Sequence, residues 1–341
     1  MRIYIKHILS GLLFAAGLLL LLSAASYAMI PKDNKEEAGM EDESANGILA
    51  EGKNTIDVLV VGDSLAFCTI DPLLIWEQYG FTSYLCSTPS QKLFYTEEFV
   101  EKAFRNQSPK MVFLETDALF REYTNGAAVQ NRAERVLPVL RYHDRWKKMK
   151  PDELFRQPEY TYRSSSKGFA YKPDVDGIKT KKKEVKPAGP DDAVPGRNRK
   201  ELKKIARVCK ENGAELILLS VPSRKDWNMD RHNIIDSLAR ELGVVYFDMN
   251  MKEEEVGIDW KTETKDQGEH LNYDGARKAT AYFGKYLAEK NILTDHRGDE
   301  AYKTWDKDKK RFEKEIEKEK KKLEKEKKKL EKEKKKQTTK D

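Results

Sequence analysis

Asp57-Val-Leu-Val-Val-Gly-Asp-Ser-Leu65 is a short apolar run that ends on a glycine and then presents a serine. A run of this length and composition predicts a buried strand, and the glycine marks the turn that follows it. Some two hundred residues later, Asp266-Gln-Gly-Glu-His-Leu-Asn-Tyr-Asp-Gly275 holds a histidine close to carboxylates. Acyl transfer needs a nucleophile, a base that takes its proton and a group that orients the base. Together the two motifs predict a serine-dependent protein that handles acyl groups.

Apolar segments of strand length alternate along the chain with segments of helical pattern. Predicted strands cover residues 56–61, 81–86, 111–115, 216–221 and 244–247, and predicted helices cover 97–106, 197–212, 231–242 and about 275–290. Gly213 and Gly243 follow two of these helices, where a C-cap glycine belongs. The alternation predicts an α/β fold with a mainly parallel sheet and helices on both faces. Ligands bind beyond the carboxyl ends of such strands, and Ser64 falls at that edge.

Composition divides the chain into regions. Residues 1–30 hold a flank and an apolar run, 31–54 a polar linker, 55–300 the α/β domain, and 301–341 a Lys/Glu-rich tail that is helical or disordered. Residues 121–196 interrupt the alternation of strands and helices and predict an insertion. Its amphipathic part, 132–154, predicts a helical element near the site, and its polar part, 164–196, predicts an exposed loop.

An apolar run from about Ile8 to Ile30 follows three basic residues, Arg2, Lys6 and His7. At roughly 20 residues the run can span a bilayer. The positive flank predicts a cytoplasmic N-terminus, hence a single-pass protein of the cell membrane with its domain on the extracytoplasmic side. Ser26-Tyr-Ala28 has the pattern of a signal-peptide cleavage site, which is the alternative. The length of the run favours a retained anchor.

The basic charge of the chain belongs to its tail. Residues 301–341 carry 19 Lys+Arg and 11 Asp+Glu, which leaves 45 basic and 47 acidic residues for the rest. Nucleic-acid binding by the α/β domain therefore loses its main support. The cysteines Cys68, Cys86 and Cys209 form neither a CxxC pair nor a His/Cys cluster, so no metal site is expected.

Gly62-Asp-Ser-Leu65, together with the distant His270, resembles the SGNH/GDSL hydrolase superfamily. Val221-Pro-Ser-Arg-Lys-Asp-Trp227, Gly257-Ile-Asp-Trp260 and His270-Leu-Asn-Tyr-Asp-Gly-Ala276 are similar to its extracytoplasmic, membrane-anchored branch. That branch includes the teichoic-acid D-alanylation protein DltD and proteins that acetylate alginate and other polysaccharides. The resemblance covers roughly residues 55–292. It implies a three-layer α/β/α fold, a serine nucleophile and acyl transfer on cell-envelope polymers, often beside a membrane-bound O-acyltransferase.

The resemblance implies Ser64 as the nucleophile and His270 as the base. The superfamily commonly places an aspartate three residues before the histidine, but Gln267 occupies that position here. Asp266 and Glu269 are the nearby carboxylates, and a residue adjacent to the histidine in an extended loop tends to point away from it. Asp266 is therefore the preferred orienting acid, and a serine–histidine dyad without an acid is the alternative.

The positions that supply oxyanion donors in the superfamily differ in this chain. The segment after the second strand, Cys86-Ser-Thr-Pro-Ser-Gln91, has no glycine, and Asp117 stands near the position of the usual asparagine. An ionised aspartate only accepts hydrogen bonds. Either a protonated Asp117 or Gln91 compensates, or the enzyme is slow in water and needs a partner. Asp63 is expected to brace the turn or to line the entrance.

Arg141, His143 and Trp146 lie on the predicted helical insertion. His143 and Trp146 are three residues apart and so share a helix face. Such a group can bind a sugar ring by stacking and an anion by charge. A polar packing interface is the alternative.

The predicted function is that of a membrane-anchored serine acyltransferase or esterase. It would act on envelope polysaccharide or a teichoic-acid-like polymer through an acyl-serine intermediate, with acetyl preferred over D-alanyl. We expect no cofactor, no metal and no nucleic acid; the expected partners are the polymer and a membrane-bound O-acyltransferase. The alternative is an inactive domain of this fold that binds polymer or scaffolds such a complex.

Overall fold

A computed structural model describes residues 2–179 and 193–338 of the chain. These form two compact units. The anchor unit comprises Met1–Ala50 and Glu122–Tyr162, and the sheet unit comprises Glu51–Arg121 and Arg163–Asp341. Residues 180–192 of the predicted exposed loop lie outside the described part of the chain.

The sheet unit is built on five parallel strands, and each lies within two residues of a predicted strand. They are β1 (Val58–Gly62), β2 (Ser83–Ser87), β3 (Met111–Glu115), β4 (Glu215–Ser220) and β5 (Val245–Asp248), in the order β2-β1-β3-β4-β5. Side chains of the first three strands are buried throughout, as expected for a sheet covered on both faces.

Twelve α-helices are described. They are α1 (Arg2–Met29), α2 (Glu43–Asn46), α3 (Ser64–Thr69), α4 (Pro72–Tyr79), α5 (Leu93–Phe104), α6 (Asn125–Val136), α7 (Val139–Tyr142), α8 (Gly196–Glu211), α9 (Met229–Leu242), α10 (Glu253–Val256), α11 (Tyr273–Glu289) and α12 (Lys303–Thr338). The four helices predicted for the α/β domain are confirmed as α5, α8, α9 and α11. Gly213 (φ +75°) and Gly243 (φ +67°) take the left-handed conformation expected just beyond a helix.

Two helical layers cover the sheet. Helices α3, α4 and α11 pack together beside β1 and β2, while α5 and α8 pack together over β1, β2 and β4. Right-handed crossovers place these groups on opposite faces, because β2 and β3 lie on opposite sides of β1. Phe113 of β3 meets Phe283 of α11 edge to face, with ring centroids 4.8 Å apart. The predicted three-layer α/β/α fold is confirmed.

The order of the strands reverses at β1, which makes the carboxyl end of β1 the topological switch point of the sheet. Gly62 pairs in register with Ser87 of β2, and Leu114 of β3 pairs with Val61. The segments that follow these three strands therefore begin at the same edge. Ser64, two residues after β1 ends, lies where ligands of such sheets bind.

The anchor unit contains α1, α2, α6 and α7. The predicted linker is not an isolated tether, because much of it packs within this unit. Asn34 is buried, and its Nδ2 donates hydrogen bonds to the carbonyl oxygens of Asn46 (2.9 Å) and Tyr162 (2.8 Å). Buried polar groups are normally hydrogen-bonded, and these bonds tie residues 31–50 to the second segment of the unit.

Two parts of the sheet unit are more buried than their composition suggests. The prediction of an exposed loop is wrong for residues 164–169, which are buried. Lys167 is fully buried, and its Nζ donates to Glu51 Oε1 (2.6 Å) and Asp308 Oδ2 (2.7 Å). Asp308 belongs to α12, and Trp305 and Phe312 of that helix are also buried. The charged tail therefore begins as a packed helix.

Candidate active site

Ser64 lies where the chain leaves the sheet. Gly62 has φ +154°, and a Cβ atom there would lie 2.5 Å from Cβ of Glu115, so glycine is required. Asp63 is the N-cap of α3, and its Oδ1 accepts a hydrogen bond from the Leu65 N–H at 2.9 Å. The close approach and the cap together hold Ser64 as the first residue of α3.

Ser64, His270 and Asp266 form a continuous hydrogen-bonded chain. Nε2 of His270 lies 2.8 Å from Oγ of Ser64, and Nδ1 lies 2.6 Å from Oδ2 of Asp266. The His270 backbone N–H also donates to Asp266 Oδ1 at 2.7 Å, so both carboxylate oxygens face this residue. With the proton on Nδ1, the Nε2 atom accepts the Ser64 hydroxyl proton. This is the arrangement that makes a serine nucleophilic.

The charge on Asp266 is favoured by its partners. Partial burial acts to raise the pKa of its carboxyl, but hydrogen bonds from the backbone and ring of His270 and from Lys265 outweigh this and lower the pKa. Nζ of Lys265 lies 3.0 Å from Asp266 Oδ2. The carboxylate therefore stays ionised and can stabilise the imidazolium that forms when His270 takes a proton.

The loop before His270 is tightly folded, which explains how an acid four residues earlier reaches the ring. Gln267 (φ +61°) and Gly268 (φ +98°) both take the left-handed conformation. Thr264 is fully buried; its Oγ1 accepts from the Gly268 N–H and donates to the His270 carbonyl, each at 2.8 Å. The Gln267 side chain donates to Asp176 at 3.2 Å instead of contacting the histidine.

Glu269 is the second carboxylate close to the imidazole. Its Oε1 lies 3.9 Å from Nδ1 of His270, while Asp266 Oδ2 lies at 2.6 Å. Ligand atoms of Asp266, Glu269 and His270 all lie within 4.8 Å of one another, close enough to hold a metal ion. Both ring nitrogens of His270 already have partners in Asp266 and Ser64, which favours the triad over metal ligation.

Asp117 and Gln91, the two side chains predicted to compensate in the oxyanion hole, are both bonded to other side chains. Asp117 accepts a hydrogen bond from Arg231 NH1 at 2.9 Å and pairs with Arg121 at 2.7 Å. Gln91 is buried; its Nε2 donates to Thr96 Oγ1 at 2.9 Å, and its Oε1 accepts from Thr88 at 3.1 Å. The oxyanion role of both residues stays a prediction.

Asp117 belongs to a cluster of buried acidic residues and partly buried arginines. The cluster includes Asp63, the residue before the nucleophile. Arg121 Nε donates to Asp63 Oδ2 at 2.6 Å, and the same guanidinium reaches Asp117. Burial first, and then the charge of Asp117, raises the pKa of Asp63 to about 6 in spite of Arg121. Burial also raises the pKa of Glu115 well above its usual range, with the charges of Asp63 and Asp117 adding to the effect. Asp63 thus braces the turn through its cap and its ion pair.

Asp226 extends this cluster toward the histidine loop. Burial first, then the charges of Asp117 and Glu269, raises the pKa of its carboxyl to about 7. Arg231 donates to the Asp226 carbonyl at 2.9 Å and to Asp117 at the same distance. The cluster thus holds two guanidinium groups and four carboxyl groups, and burial raises the pKa of three of these acids, Asp63, Glu115 and Asp226.

A half-enclosed, largely apolar pocket lies beside the histidine loop. Its walls include Trp227, Trp260, Met249, Val256 and Ile258, with Ser223 and Arg224 among the polar members. Ser223 Oγ donates to the Gly268 carbonyl at 3.4 Å, and the Arg224 N–H donates to it at 2.6 Å. These bonds join one wall of the pocket to the loop that carries His270.

Arg141, His143 and Trp146 belong to the anchor unit. Arg141 Nε pairs with Glu134 at 3.2 Å, and the His143 ring contacts the Leu140 carbonyl at 3.0 Å. The Trp146 side chain is 64% exposed. Their role in substrate binding stays a prediction.

Several residues of the site were missed by sequence reasoning. Arg121 and Arg231 reach Asp117 from other elements, and only the i,i+4 spacing of Arg121 to Asp117 could have suggested one of these contacts. Glu115 carried a signal, since a charged residue at the end of a buried strand needs a partner. Nothing in the pattern singled out Thr264.

No protein-family model matches the chain, and no curated protein matches it in sequence. Among solved structures, a GDSL-like lipase from Bacteroides thetaiotaomicron is similar at 11% identity and a TM-score of 0.36, over 72% of this chain and 99% of its own. A lipase/acylhydrolase from Enterococcus faecalis is similar at 11% identity and a TM-score of 0.38, over 70% of this chain and 98% of its own. Similarity at this level does not establish a family, and the inference of function depends on the geometry of Ser64, His270 and Asp266.

Proposed function

We propose that the chain is a membrane-anchored, extracytoplasmic serine acyltransferase or esterase. One observation carries the proposal: Ser64 Oγ, both ring nitrogens of His270 and Asp266 Oδ2 form one chain of contacts of 2.8 and 2.6 Å. The residues lie at the carboxyl edge of a parallel sheet, at its topological switch point.

The chemistry follows from these contacts. Ser64 Oγ attacks the carbonyl carbon of an acyl donor while His270 Nε2 takes the hydroxyl proton. The tetrahedral intermediate collapses, the bond to the leaving group breaks, and His270 returns the proton to that group. An acceptor hydroxyl then gives its proton to His270 and attacks the acyl-Ser64 ester, which frees Oγ with the proton restored. Water as the acceptor gives hydrolysis, and a polymer hydroxyl gives transfer.

The oxyanion positions favour transfer over rapid hydrolysis. Loss of one oxyanion donor costs about 3–4 kcal/mol in an enzyme of this type. Asp117 is an ion-paired acceptor, and the Gln91 amide is bonded to Thr96. A partner that supplies the acyl group on an activated carrier would offset a weak oxyanion hole. A membrane-bound O-acyltransferase fits this need.

The N-terminal segment and the resemblance of the motifs support the proposed location and substrate class. Helix α1 is long and apolar enough to cross a membrane, a criterion that a signal sequence also meets. Either reading directs the sheet unit beyond the cytoplasmic membrane, where polysaccharides and teichoic-acid-like polymers carry the hydroxyl groups that are acylated. Acetyl is the preferred acyl group, with D-alanyl second.

Labelling by a fluorophosphonate probe tests the nucleophile. The full chain in detergent should label, and Ser64→Ala should not, while Ser108→Ala should label like the parent. Ser108 is an exposed serine on a loop of the same unit and hydrogen-bonds to Asn54 at 3.0 Å. Equal labelling of the Ser64→Ala and parent proteins would remove the proposal.

A second candidate is a catalytically inactive domain that binds polymer or scaffolds an acyltransferase complex. The ion-paired state of Asp117 favours it, since a donor is expected near that position. This candidate predicts that the parent protein fails to label. It also predicts that cells carrying Ser64→Ala acylate their polymer at the normal level.

A further inference from the structure

The depth of α1 in a membrane is set by its own sequence. The apolar segment Ile3–Met29 has 27 residues, and a helix of that length extends about 40 Å, more than the hydrocarbon core of about 30 Å. Lys6 and His7 disfavour burial of the first turns, so the apolar crossing begins at about Ile8. Roughly 20 residues are needed to cross, so the crossing ends near Tyr27.

The second segment of the anchor unit contacts α1 at that level. The Tyr27 hydroxyl donates to the Phe155 carbonyl at 3.1 Å, and the Val139 N–H donates to Ser26 Oγ at 3.2 Å. Helix α7 and the chain around Phe155 therefore lie against the outer end of the membrane helix.

Arg145 fixes the same junction. Its NH1 donates to the carbonyl oxygens of Met29 and Ile30, each at 2.7 Å, and its NH2 pairs with Glu153 at 2.8 Å. Met29 is the last residue of α1 and Ile30 follows it, so neither carbonyl has a partner within the helix. Arg145 is buried. Through these bonds it joins residues 143–153 to the end of α1.

Large apolar side chains around this junction remain exposed. Phe155 is 84% exposed, Val136 77%, Trp146 64% and Leu140 46%; we refer to these four residues as the collar. Isolated exposed apolar residues are normal, but a group next to a membrane helix marks an interaction surface. Tryptophan is also enriched where proteins meet the membrane interface.

The charge around the collar suits an anionic surface. Residues 143–156 carry five basic and three acidic side chains. Lys148, Lys150 and Arg156 are exposed, while Lys147 pairs with Asp144 at 2.6 Å. Basic residues mixed with exposed aromatic and apolar ones are typical of segments that lie in the headgroup region of anionic membranes.

We infer that the collar inserts into the outer leaflet of the membrane, with phospholipid as its occupant. Trp146 and Phe155 enter the boundary between headgroups and acyl chains, and the basic residues contact lipid phosphates. Trp146 then contacts lipid instead of a sugar. The inference rests on the membrane-anchored part of the proposed function and is independent of the acyl chemistry, so it can be tested in Ser64→Ala protein.

Site-specific labelling in vesicles tests this insertion. All three native cysteines are buried, so a cysteine introduced at an exposed position can be labelled selectively with a polarity-sensitive fluorophore. Trp146→Cys and Phe155→Cys would each be made in the full-length Ser64→Ala chain and reconstituted in vesicles of phosphatidylcholine and phosphatidylglycerol at 3:1. Quenching is then measured with nitroxide-labelled lipid and with aqueous iodide.

Asn125→Cys is the matched control. Asn125 is exposed at the opposite end of α6 from Val136, about 16 Å away along the helix. Labels at 146 and 155 should be quenched by nitroxide lipid at least threefold more than the control and by iodide at least threefold less. Equal quenching at all three positions by both agents would overturn the inference. If a fluorophosphonate fails to label the parent protein, the proposed acyl chemistry is wrong, while the inference that the collar inserts into the membrane is unaffected.

Discussion

His270 Nδ1 lies 2.6 Å from Oδ2 of Asp266, four residues earlier in the chain. The contact depends on the left-handed conformations of Gln267 and Gly268, which fold the loop back on itself. The same carboxylate accepts the His270 backbone N–H at 2.7 Å. One aspartate therefore fixes the ring, its tautomer and the backbone of the residue that carries it.

Asp266→Asn should lower the rate of ester turnover by about 10³–10⁴-fold with little change in KM, because an amide can hold the ring in the wrong tautomer and cannot stabilise the imidazolium. The measurement is hydrolysis of a small activated ester by the full chain in detergent. Gln267→Asn is the matched control, since asparagine tolerates the left-handed conformation and Gln267 contacts Asp176. A loss as large in the control as in Asp266→Asn would contradict the assignment.

Thr264→Val removes a buried hydroxyl from the same loop while keeping its shape. The Gly268 N–H would lose its partner at 2.8 Å, while the His270 carbonyl would keep the Lys265 N–H at 3.2 Å. An unsatisfied buried polar group costs about 1–3 kcal/mol. We expect a lower free energy of unfolding in urea and a lower kcat, because His270 loses its fixed position. Thr262→Val, at an exposed hydroxyl bonded to Asp259, should change neither quantity appreciably. A normal kcat in Thr264→Val would show that Asp266 alone orients the ring.

Periodicity predicted the sheet and its helices well, because alternating apolar strands and amphipathic helices permit few architectures. Ser64 and His270 were located by motif, and Asp266 was chosen over Glu269 by the direction of neighbouring side chains. The partners of Asp117 could not be predicted in this way. Arg231 lies 114 residues further along the chain, and only the tertiary fold brings it to 2.9 Å.

Composition did not reveal which of the charged segments are buried. Lys167 lies in a polar stretch, and Asp308 lies in a tail dominated by Lys and Glu. Both are buried because each supplies the other with a counter-charge. Solvated and paired charges have the same composition, so a sequence pattern does not separate them.

Lys167→Met tests the attachment of α12. The substitution leaves Glu51 buried without Lys167, while Asp308 keeps its pair with Arg163 at 2.7 Å. Breaking a buried pair by removing one partner costs about 3–5 kcal/mol. The free energy of unfolding of the full chain, measured in urea, should therefore fall by about 3–5 kcal/mol. Lys321→Met breaks the exposed pair with Glu317 further along the same helix and should cost no more than about 0.5 kcal/mol. Similar losses in both variants would mean that Lys167 is not a specific anchor.

Asp226→Asn tests whether the acid cluster holds a proton. The pKa of the Asp226 carboxyl is raised to about 7, chiefly by burial, from the ordinary value of 3.8. Between about pH 4 and pH 7 the unfolded chain releases a proton that the folded chain keeps, so this group makes stability fall as the pH rises through that window. Asparagine does not titrate. Relative to the parent, the variant should therefore gain about 1–3 kcal/mol in unfolding free energy between pH 4 and pH 8.

The measurement is a series of urea unfolding curves across that range. Asp236→Asn is the control, because Asp236 forms an exposed pair with Arg240 at 2.8 Å and should follow the parent at every pH. An Asp226→Asn curve parallel to that of the parent would mean that Asp226 is already ionised at pH 4 and that the two arginines neutralise the cluster without a stored proton.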